Sequence, residues 1–247
     1  MRTSNPALNS KTFTGLKPIA DTGRAMTIKG TVNRAGILLL LLLVAAAWTW
    51  SMSYRSADMG AVIPWLVGGA IGGLIVAIIT VFKKQWAGVT APIYALLEGL
   101  FLGGLSAIFE ARYPGIVIQA VGLTFGTLAC LLLAYRAGLI KVTQNFRLGV
   151  VAATGGIALI YVVTLLLGLF GIRAPFIHES GLIGIAFSLF VVVIASLNLV
   201  LDFDFIEQGA DSGAPKYMEW YASFGLMVTL IWLYIEILNL LSKLRRR

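Results

Sequence analysis

Charge is what this sequence has least of. Only 12% of its 247 residues are Asp, Glu, Lys or Arg and 59% are apolar, against roughly 25% and 45–50% in an ordinary soluble domain. A globule of this length would lack the charge to cover its surface in water, so a soluble fold is excluded and most of the chain belongs in lipid. Histidine is scarcer still. The single one, His178, cannot make a His-Glu-x-x-His metal site. It would leave a Ser/His protease with its base in the Arg173 to Ser180 connection, and no Gly-x-Ser-x-Gly elbow is present. No glycine loop followed by Lys-Ser/Thr occurs, which removes a nucleotide-driven pump. No lysine lies inside the last apolar run, which removes a retinal Schiff base. The chain therefore reads as no enzyme and as carrying no cofactor. Its one cysteine, Cys130, permits no intrachain disulfide and reads as a small buried thiol.

The net charge of +8 does not point to nucleic acid. The basic residues stand in the N-terminal segment and at Lys243, Arg245, Arg246 and Arg247, where attraction to anionic lipid explains them. Residues 1–34 are polar, carry six Lys and Arg, and lack the early apolar stretch of a secretory signal. They read as a disordered cytoplasmic tail ahead of a membrane domain at 35–247, with Ile37 to Ser53 as an uncleaved signal anchor.

What is abundant is apolar runs of spanning length. Charged or Pro/Gly-containing gaps separate seven of them: Ala35 to Ser53, Val62 to Phe82, Ile93 to Phe109, Ile116 to Tyr135, Leu148 to Phe170, Gly181 to Leu201 and Tyr221 to Leu241. Each is long enough to cross ~30 Å of hydrocarbon as a helix, and none alternates as a barrel strand must. The expected fold is an all-α integral membrane protein, a seven-helix bundle. Small-xxx-small patterns at Gly68/Gly72, Gly69/Gly73, Gly99/Gly103 and Gly122/Gly126 suit close packing of helices in lipid. Twelve Lys and Arg fall on the side of the N terminus, against Arg55, Arg112, Arg173 and the four at the C terminus. The internal loops thus favour a cytoplasmic N terminus in the plasma (inner) membrane.

Acids inside spans cost about 2.5–3.5 kcal/mol each on insertion scales, so each invites a functional reading. Glu98 lies in the third run, Glu236 deep in the seventh, and Asp202 and Asp204 at the inner end of the sixth. Asp204, Glu207 and Asp211 also suit a solvated acidic loop. No Arg or Lys lies within the seven runs. Carboxyl groups buried without a cation hold their protons, and two that approach share one. Protonated, such a pair bonds two helices together. Deprotonated, it repels and receives a cation, a hard one such as Ca²⁺.

Seven short-looped spans, the aspartate ending the sixth, and a last helix reading Leu233-Tyr234-Ile235-Glu236-Ile237-Leu238-Asn239-Leu240 resemble the Bax inhibitor-1 family in its bacterial branch, from about Arg34 onward. The resemblance implies a pH-sensitive cation leak, chiefly of Ca²⁺, opened by an acid pair on the sixth and seventh helices, with the last helix central among the other six. Carried over by motif, the pair and the calcium ligands that the resemblance implies are Asp202 and Glu236, with Glu98 and Asp204 as secondary candidates. The family's usual second residue is aspartate; glutamate here lengthens the reach and keeps the titrating group.

Helical rise sets Glu236 about 30 Å from a turn near residue 215 and Asp202 well short of that depth. Pairing then requires the 209–219 loop to climb outside the membrane; otherwise Glu236 has Glu98 as an alternative partner. Two further functions stand beside the leak. One is a scaffold or regulator that binds another membrane protein. The other is a proton-coupled transporter, whose inverted repeat is not evident, since the first and fourth runs share no motif.

Overall fold

The computed structural model describes residues 25–56, 59–170 and 181–246. Seven helices in it are long and apolar enough to cross a membrane. They are α1 (Ile28–Ser56), α2 (Ile63–Phe82), α3 (Ala87–Arg112), α4 (Ile116–Arg136), α5 (Gln144–Leu169), α6 (Leu182–Asp211) and α7 (Met218–Arg245). Leu40, Ile71, Leu133 and Leu165 are among many large apolar side chains left exposed, as hydrocarbon-facing positions are. The chain is a multi-pass membrane protein.

Local chemistry sets the helix ends. Pro64 sits in the first turn of α2, where a missing N–H costs nothing. The Thr143 hydroxyl caps α5 by accepting the Phe146 N–H at 3.2 Å. Gly213, at φ 64°, turns the chain between α6 and α7, a conformation that side chains with a Cβ disfavour.

Several helices outrun the apolar stretches that announce them. α3 begins at Ala87 and passes through Pro92, which forfeits one hydrogen bond near the start of the helix without stopping it. α6 continues to Asp211, so Asp204, Glu207 and Asp211 are helical rather than a loop. α1 starts at Ile28, inside the segment expected to be a tail; residues 1–24 of that segment lie outside the described residues, as do Arg173 and His178.

The chain divides into two compact units. In one, built from α1, α2, α3, the end of α6 (205–211) and the start of α7 (218–228), α3 packs on both α1 and α2. Glycine allows this. A Cβ at Gly99 would lie 2.7 Å from Ala45 Cβ, and one at Gly103 would lie 2.8 Å from Ala46 Cα, both on α1. A Cβ at Gly69 of α2 would meet the α3 backbone at Leu97 O (2.5 Å) and Phe101 N (2.7 Å). Ahead of α1, the buried Met26 donates its N–H to Ala214 O at 2.6 Å, and Ala25 bridges to Pro215.

The other unit comprises α4, α5, residues 182–204 of α6 and 229–245 of α7. Its core is Ile157, Val191 and Ile194, flanked by Ala153, Tyr161, Phe187, Leu197 and Trp232. Lys243 of α7 donates to Ser188 Oγ (2.8 Å) and Gly184 O (3.2 Å) of α6, fixing the antiparallel register of the pair. On α4, a Cβ at Gly122 or Gly126 would meet nothing within 4 Å, so that pattern marks no close contact among the described residues. Cys130 is exposed, not buried as its apolar surroundings suggested, because it stands on the outward side of α4.

Candidate functional site

In the unit holding α4 and α5, α7 carries Glu236 toward α5. Its side chain is nearly inaccessible, at 4% exposure, and its Oε1 accepts two hydrogen bonds. One comes from the Tyr161 hydroxyl of α5 at 2.7 Å, the other from Trp232 Nε1, one turn earlier on α7, at 3.3 Å. Asn239 and Lys243 complete the polar neighbourhood from α7. The Tyr161 ring is held edge-on by Phe187 of α6, at 6.3 Å between centroids, so the hydroxyl reaches Glu236 from a packed ring.

Asp202 is fully buried on α6. One turn earlier, Asn198 bonds through Nδ2 to Thr154 Oγ1 of α5 at 2.9 Å and to Ile194 O at 2.8 Å. The register set by Lys243 and Ser188 leaves Asp202 roughly 10–15 Å from Glu236 along the helix axes. The two acids expected to pair therefore stand at different depths, and each has its own surroundings. The short 212–217 turn follows α6 directly, and Glu236 lies far along α7, so antiparallel geometry alone separates them.

Asp204 forms an ion pair with the buried Arg147 of α5. That pair corrects the expectation of spans without cations. Arg34, Arg147 and Lys243 all lie inside helices, because a helix runs on through a charge that finds a partner or reaches along its stem toward the interface. Among the described residues no three of His, Cys, Asp and Glu converge as a metal site.

In the unit holding α1, α2 and α3, half-buried Glu98 has Tyr94, one turn earlier, as its hydrogen-bonding neighbour. A Cβ on Gly73 of α2 would lie 2.7 Å from Glu98 Oε1, so the glycine leaves the room that the carboxyl group occupies. Each unit thus contains a tyrosine–glutamate couple within its spans.

A family model described as Bax inhibitor 1 like matches residues 5–246. The chain belongs to the Bax inhibitor 1 like family. No curated protein and no solved structure matches it. The family match also takes in most of the N-terminal segment, ahead of the point where the resemblance in the sequence begins.

This Bax inhibitor 1 like protein holds one further acid that the apolar runs conceal. Glu219, in the first turn of α7, is fully buried. Its Oε1 accepts both the Thr27 N–H and the Thr27 hydroxyl at 2.9 Å, and its carboxylate pairs with Arg34 of α1. Arg34 lies over the Trp220 ring, 5.3 Å from its centroid. A Cβ at Gly30 would come within 2.6 Å of Glu219 Oε2. The available signal was an acid two residues ahead of an apolar run, where first-turn acids favour a helix N terminus. For Tyr161, within Leu159-Ile160-Tyr161-Val162-Val163, no signal was available.

Proposed function

We propose that this Bax inhibitor 1 like protein is a passive, pH-sensitive cation leak of the plasma membrane, with a cytoplasmic N terminus, passing Ca²⁺ as substrate and catalysing no reaction. The observation that carries the proposal is the burial of Asp202 and Glu236 within spans of one unit, since intramembrane acids mark ion and proton paths. Family membership supports the same reading. The acids act as two stations at different depths rather than as one shared-proton pair. In the charged state each offers hard oxygen to a cation that has shed water; in the protonated state it offers none. Flux therefore rises as pH rises.

Purified protein in liposomes loaded with a Ca²⁺ indicator tests this between pH 6 and 8. Wild type is expected to leak faster at the higher pH. Glu236→Gln and Asp202→Asn are each expected to lower the flux about tenfold, equivalent to ~1.4 kcal/mol at the limiting barrier, and to flatten its pH dependence. Flux equal to that of empty liposomes, or variants with the wild-type profile, would overturn the proposal. Stable co-purification of another membrane protein together with absent flux would point instead to a scaffold.

A further inference from the structure

We propose that Tyr161 is the positioning residue for Glu236: its hydroxyl fixes the carboxyl group in the seam between α5 and α7 and so decides the pH at which the leak responds. The inference rests on the leak reading and deepens it, moving the control of this acid from an aspartate on α6 to a tyrosine on α5.

Three observations carry it. The Tyr161 hydroxyl bonds Glu236 Oε1 at 2.7 Å, closer than the Trp232 donor at 3.3 Å. Trp232 shares a helix with Glu236 and moves with it, whereas Tyr161 belongs to another helix and ties the acid across the seam. The Tyr161 ring is itself anchored, edge-on to Phe187 and packed on the Ile157, Val191 and Ile194 core, so its hydroxyl is a fixed point and not a wandering donor.

Among the described residues, the groups recorded as acting on Glu236 come from α5 and α7. From α5 comes Tyr161; from α7 come Trp232, Asn239 and the charge of Lys243. The α6 residues in the core beside Tyr161 and Trp232, namely Phe187, Val191, Ile194 and Leu197, do not titrate. Lys243 is already engaged by Ser188 Oγ and Gly184 O of α6. A phenol O–H donates to either protonation state of a carboxyl group, but more strongly to the charged one. Its removal therefore penalises the charged form, which is the form that receives a cation.

Tyr161→Phe keeps the ring against Phe187 and removes only the donor. Two measurements on the full-length protein in liposomes separate the outcomes. Infrared difference spectra follow protonation of the carboxyl group that disappears in Glu236→Gln, and indicator flux follows the leak. In Tyr161→Phe, both half-points are expected to move to higher pH by about one unit. Trp232→Phe should shift them less. In the Glu236→Gln background, Tyr161→Phe should add nothing to the flux profile. An infrared half-point that stays in place, or a flux shift that persists without Glu236, would overturn the assignment. An infrared shift in a protein that passes no cations would uphold the positioning role and overturn the leak.

Discussion

Gly103→Ala is expected to break the seam between α1 and α3, lowering stability by about 3 kcal/mol, while Gly126→Ala leaves it unchanged or slightly raised. The new Cβ at position 103 would lie 2.8 Å from Ala46 Cα and closer still to the Ala46 carbonyl oxygen. Those are backbone atoms, so no rotamer change relieves the clash and α1 itself must move. One turn earlier, Gly99 meets Leu42 O and Ala45 Cβ, so the two helices touch over consecutive turns and cannot pivot about one of them. Overpacking of tight cores costs about 1–3 kcal/mol and at times more, and backbone obstruction places this case at the upper end. In lipid there is little hydrophobic drive to pull displaced helices together again, because close packing is itself the source of their attraction. Position 126 has no neighbour within 4 Å, and there alanine gains roughly 0.5–1 kcal/mol of helix propensity over glycine. Reversible unfolding in mixed micelles, read by helical circular dichroism, measures both. Equal midpoints for the two variants would overturn the prediction.

That contrast shows what the sequence could and could not disclose. All four small-xxx-small patterns look alike in sequence, yet Gly69 and Gly99/Gly103 meet neighbouring backbone whereas Gly122/Gly126 meet nothing. A pattern on one helix carries no information about which helix lies opposite. The seven spans were legible because hydrocarbon imposes a length of apolar residues on any helix that crosses it. Their ends were not, since a run of apolar residues stops at the first charge while the helix continues past Arg34, Arg147 and Asp204 to wherever its backbone is released. The same habit hid the site. Asp202 and Glu236 stood out as acids among apolar residues, and both are buried as expected. Their partners are set by register and by a neighbouring helix, and neither is written locally. Tyr161 is one aromatic among many until α5 sets it 2.7 Å from Glu236.

Glu219→Ala is expected to be the most damaging single side-chain removal in the unit that contains α1, at about 3–5 kcal/mol, the cost of leaving one partner of a buried ion pair uncompensated. The loss falls on several groups together. Arg34 loses its counter-charge, and the Thr27 N–H and hydroxyl lose the oxygen that accepts both. Glu219→Gln retains an oxygen for Thr27 and loses the ion pair, so it should fall between wild type and alanine. Gly30→Ala should resemble Glu219→Ala although it removes nothing, because its Cβ would occupy the space of the carboxylate. Among the contacts that remain are the Ser223 hydroxyl, which donates to Thr31 O at 2.8 Å, and the Met26 to Ala214 bond outside the helices. Those two contacts bracket the lost one. The first turn of α1 should therefore loosen without the whole helix leaving, and amide exchange at Gly30 and Thr31 should accelerate well ahead of exchange at Leu42 and Ala45, which α3 still covers. A double-mutant cycle on Arg34→Ala and Glu219→Ala should return a coupling of about 1–3 kcal/mol. Strict additivity, with exchange unchanged at Thr31, would mean that the pair holds nothing and that α1 is fixed by its glycine-lined seam with α3 and by the Ser223 and Met26 bonds.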